Sequence, residues 1–325
     1  MRILSGIQPS GVLHIGNYFG MMQPAIALQH EGEALYFIAD YHALTSVRDP
    51  DVLRENVLRV AIDFLAAGLD PERAALFKQS DVPQVTELTW ILSTVAPKGL
   101  LERAHSYKDK LARGLAPMVG LFSYPVLMAA DILIYDSDIV PVGKDQKQHI
   151  EMTRDLAVKI NEAYGSEPDR PIFKLPEPRI NPDTQVVPGL DGQKMSKSYG
   201  NNIDIFGDEK ETRKRVMSIV TDSTPVDAPK DPAKSTIFQL YSLFASKDEI
   251  ASMRERFEKG GTGYGDFKKE LFEKLWEYFS PMRKRRKQIL ADKLYVDNVL
   301  VRGAKRANEV ADDVMTRVRA AVGLR

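Results

Sequence analysis

Two short segments of the chain carry residue types that suit the binding of phosphate. Residues 8–17 read Gln-Pro-Ser-Gly-Val-Leu-His-Ile-Gly-Asn and follow the first strand-like run. A glycine-containing turn from a strand into a helix presents unpaired backbone N–H groups and the positive end of the helix dipole, which favour an anion. This segment alone is a weak indication, because Gly11 and Gly16 could equally serve the turn, with His14 as an ordinary surface residue.

The second segment is Lys194-Met195-Ser196-Lys197-Ser198, between Gly192 and Gly200. Two lysines three residues apart on a glycine-bounded loop suit a mobile clamp for phosphate groups. Read alone, such a loop is more often simply solvated. Its occurrence together with the first segment makes the pair informative.

A third candidate is Asp131, a carboxylate within the apolar run 126–134. Burying an unpaired charge is costly, so such a side chain lies on a helix surface, is paired, or is kept for a function. The residue taken alone favours the first two alternatives.

The elements that must position these residues alternate along the first half of the chain. Strands are predicted at Arg2–Ile7, Ala34–Ala39, Ala75–Lys78 and Asp138–Val142, with helical patterns between them. This alternation predicts an α/β fold with a Rossmann-like parallel sheet. Ligands bind such sheets at the carboxyl ends of the strands, so functional residues are expected at 8–17, 40–45 and 143–149.

The remaining segments predict a helical insertion and a helical C-terminal domain. Residues 83–135 are too long for a simple crossover, and their apolar character fits either core or a subunit interface. From residue 208 the pattern is helical throughout, with helices predicted at 208–220, 235–245, 248–259, 264–292 and 296–322. The expected domains are a Rossmann-like domain 1–193 that contains the insertion, a loop and linker 194–207, and a helical domain 208–325.

Composition excludes several classes of protein. The absence of cysteine among 325 residues excludes disulfides, Fe–S clusters, zinc ribbons and thiol nucleophiles. No apolar run is long enough for a membrane span, and no export signal is recognised at the N-terminus, so a cytoplasmic protein is expected. The net charge is zero, but residues 1–207 sum to −6 and residues 208–325 to +6. This asymmetry suggests an anionic partner for the C-terminal part, or a chance distribution of solvated charges.

The first segment and the lysine loop together resemble the HIGH-type and KMSKS-type signatures of the class I aminoacyl-tRNA synthetases. Here these signatures are His14-Ile15-Gly16-Asn17 and a complete Lys-Met-Ser-Lys-Ser. Four further segments are similar to the bacterial tryptophanyl branch of this class, and the resemblance extends over essentially the whole chain. They are Ser5–Gly11, Tyr41–Thr45, Tyr124–Leu133 and Asp138–His149.

The resemblance implies a tryptophan–tRNA ligase, which forms tryptophanyl-adenylate and pyrophosphate from L-tryptophan and ATP and then acylates tRNA(Trp). Neither step needs a protein nucleophile, because displacement at phosphorus depends on positioning and on cations where negative charge builds up. The residues expected to stabilise the leaving pyrophosphate are Lys110, Lys194 and Lys197. Mg²⁺ is expected on the phosphates of ATP. By similarity the ATP-binding residues are Gln8, Pro9, Ser10, His14, Gly16, Asn17, Gly143, Lys144, Asp145, Val186, Lys194, Met195, Ser196, Lys197 and Ser198.

Selection of tryptophan requires an apolar slot with one hydrogen-bond acceptor, because the indole N–H is the ring's single strong polar group. The resemblance assigns this acceptor to Asp131. A site built around such a hydrogen bond can reject an amino acid without the N–H by ~10⁴–10⁵. The residues expected to line the slot are Leu4, Met128, Val140 and Val142, and those expected at the amino and carboxylate ends are Tyr124, Gln146 and His42.

Three positions depart from the family pattern. The tryptophanyl enzymes commonly have Thr where this chain has His14, many have Phe in place of Leu4, and they have Glu in place of Lys144. The departures concern the ATP contact, the pocket wall and the local charge rather than the reaction. Certain relatives also bind an Fe–S cluster, which a chain without cysteine cannot hold.

The resemblance also implies partners. The C-terminal helices are similar to the anticodon-reading domain of the family, although the five cations at 283–287 spread around a helix and could be a solvated face. Family members are homodimers, which would make residues 83–135 the interface. Three alternatives stay open: a tyrosyl-tRNA ligase, a non-catalytic sensor of tryptophan or RNA, and an adenylyltransferase acting on a small cofactor precursor.

Overall fold

The computed structural model describes residues 1–9, 11–104, 118–143, 146–165, 171–180 and 186–324. Within them the strands form one parallel sheet in the order β3-β2-β1-β4-β5. The predicted α/β fold is confirmed, and each predicted strand is found within one residue of its expected ends. The strands are β1 Arg2–Ile7, β2 Glu33–Ile38, β3 Ala74–Lys78, β4 Ile139–Val142 and β5 Glu177–Ile180.

Strand β5 is missing from the sequence-based prediction. Its sequence is Glu-Pro-Arg-Ile, in which a proline and two charged residues hide the apolar pattern of a strand. Proline is tolerated there because β5 is an edge strand that pairs with β4 alone.

Helices surround the sheet and form the second half of the chain. The described α-helices are α1 Ile15–Asn17, α2 Gln23–Ala27, α3 Asp40–Ala43, α4 Pro50–Ala66, α5 Gln84–Val95, α6 Lys98–Glu102, α7 Val119–Leu133, α8 Lys147–Tyr164, α9 Glu209–Met217, α10 Thr236–Tyr241, α11 Lys247–Lys259, α12 Tyr264–Tyr278, α13 Ser280–Ala291 and α14 Lys293–Val322. A π-helical turn spans Tyr18–Met22, and short 3₁₀ turns span Leu28–His30, Gln79–Asp81, Lys197–Tyr199 and Pro232–Lys234. Among the described helices, none combines the length and the apolarity that crossing a membrane requires.

Local signals explain where several helices begin and end. The side chain of Asp49 accepts hydrogen bonds from the backbone N–H groups of Asp51 and Val52, at 2.8 and 3.3 Å, and so caps α4. The single helix predicted at 264–292 is wrong, because α12 ends at Tyr278 and α13 begins at Ser280. Pro281 accounts for the break, since it lacks an N–H group and its ring would clash with the preceding turn of a continuous helix.

The chain divides into two compact units. The first contains Met1–Gly11, Ala25–Pro182 and Asp292–Arg325, and the second contains Val12–Pro24 and Asp183–Ala291. This division differs from the expected boundaries at both ends of the chain. Residues 12–24 belong with the helical unit, and the last helix belongs with the sheet.

The last helix, α14, packs in the first unit against β3 and α5. Its residues Ala311 and Val314 are buried in the same hydrophobic cluster as Phe77 of β3 and Leu88 of α5. Gly303 allows the close approach of helix and strand, because a Cβ atom there would overlap the backbone of Leu76. The helix thereby shields an edge strand, which would otherwise be a site for unwanted pairing.

The second unit is held together by aromatic side chains. Tyr18 and Phe19, from the segment 12–24, lie against Phe244, Tyr278 and Phe279 with ring centroids 5.1 to 6.5 Å apart. Most of these pairs are edge-on, the arrangement that aromatic quadrupoles favour. These contacts explain why the turn at His14 belongs with the helices of this unit.

Candidate functional site

Asp131 of α7 is a buried carboxylate at the carboxyl edge of the sheet. Its residue exposure is 1%, although α7 is otherwise strongly apolar. His42 Nε2 lies 2.8 Å from its Oδ2 atom, and Gln79 Nε2 donates to its Oδ1 atom at 2.7 Å. Both carboxylate oxygens are therefore held by hydrogen-bond partners, which offsets the cost of burying the group.

The partners of Asp131 come from the loops that follow two neighbouring strands. His42 lies on α3 directly after β2, and Gln79 begins the 3₁₀ turn directly after β3. Because parallel strands end at the same edge of a sheet, these side chains converge on α7. Asp40 links the two loops, since its carboxylate accepts hydrogen bonds from the backbone N–H groups of Tyr41 and Ser80, both at 3.0 Å.

The electrostatics of Asp131 are a balance of opposing effects. Burial raises the pKa of Asp131, while the hydrogen bonds with His42 and Gln79 act in the opposite direction and the negative charge of Asp40 adds to the increase. The ionised carboxylate only accepts hydrogen bonds, so it suits an N–H donor. The two hydrogen bonds are thus what favours the form that an indole would need.

A second pair of polar side chains lies nearby on α7 and α8. The hydroxyl group of Tyr124 lies 2.9 Å from His149 Nε2. Burial raises the pKa of Tyr124 to about 12, so the phenol stays protonated near neutral pH. Gln146 stands at the start of α8, and its backbone N–H donates to the carbonyl of Gly143 at 3.0 Å.

Apolar side chains of the same unit supply the walls expected for a slot. Leu4 and Val140 are buried in the main hydrophobic cluster, and Met128 and Val142 are half-buried and pack against it. A cavity of about 860 Å³ in the same unit has His42 and Tyr124 in its wall, whereas these four apolar residues are not among those that line it. All four predicted lining residues therefore share one cluster, which is necessary but not specific for a ligand slot.

The turn at His14, in the second unit, is tightly organised. His14 Nδ1 accepts from the backbone N–H of Asn17 at 3.3 Å, and Asn17 Oδ1 accepts from the backbone N–H of His14 at 3.2 Å. Burial, with the charge of Lys197 as a smaller cause, lowers the pKa of His14 to about 4. The ring is neutral near pH 7, and its capping role leaves the proton on Nε2 as a possible donor to an anion.

Backbone pairing joins this turn to the segment that follows the lysine loop. The N–H of Ile15 donates to the carbonyl of Ile203 at 2.9 Å, and that of Ile205 donates to the carbonyl of Leu13 at 3.3 Å. Gly16 lies close to the loop as well, because a Cβ atom there would be 3.3 Å from Cβ of Met195. The two signature segments are thus assembled within a single unit.

The lysine loop has a buried anchor and exposed charges. Met195 is buried, whereas Lys194, Lys197 and Ser198 are exposed. The side chain of Ser196 caps the 3₁₀ turn Lys197–Tyr199 by accepting from the N–H of Ser198 at 3.3 Å. Lys194, Lys197 and Ser198 therefore lie at the surface of the unit.

Asn201 organises the same loop from below and is 4% exposed. Its Oδ1 accepts from the N–H of Ser196 at 2.8 Å, and its Nδ2 donates to the carbonyl of Lys194 at 3.2 Å and to Asp191 Oδ1 at 2.7 Å. Arg215 fixes the end of the loop by donating to the carbonyls of Asn202 and Gly200, both at 2.6 Å.

The remaining predicted site residues lie either outside the clusters described above or outside the described part of the chain. Ser10, Lys110, Lys144 and Asp145 lie outside the described residues. In the first unit Gln8 is exposed and Pro9 buried at the end of β1, and Gly143 is half-buried after β4. In the second unit Val186 is exposed.

Sequence reasoning missed three residues that the structure places at these sites. Gln79 contacts Asp131, and His149 contacts Tyr124. Asn201 holds the lysine loop. The rule that marks the carboxyl ends of strands applies to β3 as well and points to residues 79–82. For Asn201, no signal in the residue itself distinguishes a loop organiser from a solvated amide.

A parallel sheet with polar residues converging at its carboxyl edge, and a separate unit that carries a HIGH-type turn paired to a KMSKS loop, define a class I aminoacyl-tRNA synthetase. The sequence profile of the family described as tRNA synthetases class I (W and Y) matches residues 1–280. The chain belongs to this family.

Individual relatives agree with this assignment over the full length of the chain. The curated tryptophan–tRNA ligase of Fusobacterium nucleatum is 53% identical over 323 residues, covering 99% of this chain and 98% of the relative. That of Rhodopirellula baltica is 54% identical over 325 residues and covers all of both. The crystal structure of the Campylobacter jejuni tryptophanyl-tRNA synthetase with ADP and tryptophan is similar with a TM-score of 0.93 and 49% identity, covering all of both chains.

Proposed function

We infer that this chain catalyses the tryptophan–tRNA ligase reaction, in which L-tryptophan is activated by ATP and transferred to tRNA(Trp). The observation that carries this function is full-length identity of 53 and 54% to curated tryptophan–tRNA ligases. Similarity confined to one part of the chain would not identify the substrate. Here the similarity to the curated ligases extends over both the sheet unit and the helical unit.

The reaction has two steps that balance without a protein nucleophile. A carboxylate oxygen of tryptophan attacks the α-phosphorus of ATP, the bond to the β-phosphate breaks, and pyrophosphate leaves with the electron pair. The hydroxyl of the terminal tRNA ribose then attacks the carbonyl carbon of the adenylate, releases its proton, and expels AMP. Both steps are accelerated by positioning and by cations near the departing groups.

In the first unit, Asp131 is proposed to accept the indole N–H. Its burial in an apolar helix supports this role, and so do the hydrogen bonds with His42 and Gln79, which favour the ionised, acceptor-only form. The lining proposed for the indole ring is Leu4, Met128, Val140 and Val142. Tyr124, Gln146 and His42 are proposed for the polar end of the substrate, although the ring of His42 also contacts Asp131.

For ATP, the proposal rests on the types of residue in each unit. Lys194 and Lys197 are exposed cations on an anchored loop, which suits stabilisation of the leaving pyrophosphate. Neutral His14 offers an Nε2–H donor beside them in the same unit. The roles of Gln8, Pro9, Gly16, Asn17, Gly143, Val186, Met195, Ser196 and Ser198 in ATP binding stay proposals by resemblance, as do those of Ser10, Lys110, Lys144 and Asp145.

Mg²⁺ is proposed to enter with ATP as the complex of its phosphates, since it prefers phosphate oxygens and retained water over a protein cage. The role in charging tRNA also makes a cytoplasmic location the expected one.

The helical unit is the proposed partner of tRNA. Within the cationic run, Arg283 lies over the ring of Trp276 and Arg286 over that of Phe206, so both are occupied by packing. Lys284 and Lys287 are exposed and suit contact with phosphates. Binding through such contacts should weaken steeply with salt, and a flat salt response would count against it.

A direct test of the proposed reaction is the exchange of labelled pyrophosphate into ATP. The purified protein is incubated with ATP, Mg²⁺, labelled pyrophosphate and each of the twenty amino acids in turn. Label should enter ATP with tryptophan and not with tyrosine or phenylalanine. Exchange with tyrosine in place of tryptophan would overturn the proposal. Failure of all twenty amino acids to support exchange would overturn it as well.

A further inference from the structure

Gln79 is a buried side chain at the candidate tryptophan site to which no sequence motif assigns a role. It is 1% exposed and follows β3 directly. Its Nε2 donates to Asp131 Oδ1 at 2.7 Å, and its Oε1 accepts from the backbone N–H of Tyr41 at 3.1 Å. The side chain therefore bridges the loop after β2 and the carboxylate on α7.

The chemistry of the two partners fixes the orientation of the Gln79 amide. A carboxylate accepts hydrogen bonds and a backbone N–H donates, so only one orientation satisfies both. The reversed amide would place oxygen against oxygen and N–H against N–H. The orientation of the Gln79 amide is therefore fixed. The amide can in turn fix the orientation of the Asp131 carboxylate.

Asp131 is held on both sides by this arrangement. Oδ1 receives Gln79 and Oδ2 receives His42, so rotation of the carboxylate would break both hydrogen bonds. Two oxygens offer about four acceptor positions in all, so capacity for a further donor remains. The two existing hydrogen bonds restrict only the direction from which a further donor can approach the carboxylate.

We propose that Gln79 is a positioning residue for tryptophan specificity, which orients the carboxylate of Asp131 to accept the indole N–H. The proposal rests on the function inferred above and adds to it a side chain that does not touch the substrate. A purely structural role for Gln79, as a filler of the core, is the alternative that the experiment must exclude.

The two roles predict different responses to a ligand without the ring N–H. The probe is the tryptophan analogue in which sulfur replaces the indole nitrogen, which keeps the shape of the side chain. Loss of packing should weaken the binding of tryptophan and of the analogue alike. Loss of the fixed orientation of the Asp131 carboxylate should weaken the binding of tryptophan alone.

The experiment compares Gln79→Met and Gln79→Asn with the unmodified enzyme and with Gln29→Met. Methionine keeps the volume of Gln79 without its hydrogen bonds, and asparagine keeps the amide but is too short to reach Asp131. Gln29 is a matched control, because it is also buried and its side chain bonds to the backbone of Gly68 and Asp70 at 3.2 and 2.8 Å. Dissociation constants for both ligands are measured by titration calorimetry.

The preference for tryptophan over the analogue should fall about tenfold or more in both Gln79 variants, as expected for a hydrogen bond to a charged group. It should be unchanged in Gln29→Met. The ratio of two dissociation constants does not depend on the fraction of folded protein, so partial instability does not obscure the result.

An unchanged ratio in both Gln79 variants, or an equal fall in Gln29→Met, would overturn the positioning role. A failure of the proposed function is recognised separately, because the unmodified enzyme would then support no pyrophosphate exchange with tryptophan. Exchange by the unmodified enzyme together with a selective fall in the ratio supports both.

Discussion

At the scale of single residues, the ionisation of a few buried side chains decides what the site can accept. When Asp131 is ionised, Gln79 Nε2 and the ring of His42 both donate to it, because a carboxylate only accepts. Other titratable groups that interact with it are Asp40 and Tyr135. Any replacement must present an acceptor to each donor. Activity should therefore be sensitive to a substitution at residue 131 that hardly alters the shape of the side chain.

We expect Asp131→Asn to lower kcat/KM for tryptophan activation by about 10²–10³, because one end of the amide must point N–H toward a donor and the orientation for indole is lost. Pyrophosphate exchange at varied tryptophan concentration measures the effect. Activation that stays within about twofold of the unmodified enzyme would show that another group accepts the indole N–H.

His14 predicts a dependence of stability on pH. Its pKa in the folded protein is about 4, below the ordinary value of 6.5. Between these two values the unfolded chain binds the proton and the folded chain does not, so the free energy of unfolding falls as pH is lowered from 6.5 to 4 and this contribution is constant above 6.5.

The matched variant is His14→Asn, which keeps an acceptor for the helix N-terminus but does not titrate in this range. Urea unfolding at several pH values should show a shallower loss of stability on acidification in the variant than in the unmodified protein. Parallel curves would mean that His14 is protonated at its ordinary pKa in the folded state.

At the scale of elements, the lysine loop depends on Asn201, whose side chain bonds to both Ser196 and Lys194. We expect Asn201→Ala to lower the rate of pyrophosphate exchange by about 10–100-fold, because small displacements of positioning groups are costly in catalysis. Tryptophan binding by calorimetry should change little, since the proposed tryptophan residues lie in the other unit.

The neighbouring residue supplies the control. The side chain of Asn202 bonds to Asp204 at 2.6 Å and to no loop residue among its described contacts. Asn202→Ala should therefore retain most of the exchange rate. If both variants lost activity equally, the effect would reflect general loosening of residues 200–204 rather than the position of the lysines.

The same scale shows what the sequence could predict. Strands β1 to β4 have short apolar runs that are followed by turn or polar residues, and a pattern of this kind depends on local sequence alone. Strand β5 and the return of α14 to the sheet unit depend on tertiary pairing, which local pattern does not contain. At the site, Asp131 was accessible through its motif, whereas Gln79 owes its importance to a partner 52 residues away.

At the scale of the whole molecule, the first unit exposes several large apolar side chains on neighbouring segments. Trp90 is 73% exposed, Met118 60% and Val119 80%. Thr86 and Thr89 of α5 line the same cavity as Met118, so these segments adjoin. Exposed apolar surface of this kind is uncommon on monomers and typical of a subunit interface.

We therefore expect two chains to associate through this surface, and Trp90→Glu to separate them, because a buried unpaired carboxylate opposes association. Light scattering at micromolar concentration should give twice the 36.5 kDa of a single chain for the unmodified protein, and 36.5 kDa for the variant. Leu294→Glu is the matched control, since Leu294 is also 73% exposed but lies on α14. A single-chain mass for the unmodified protein would refute the dimer, and dissociation by Leu294→Glu instead would place the interface on the last helix.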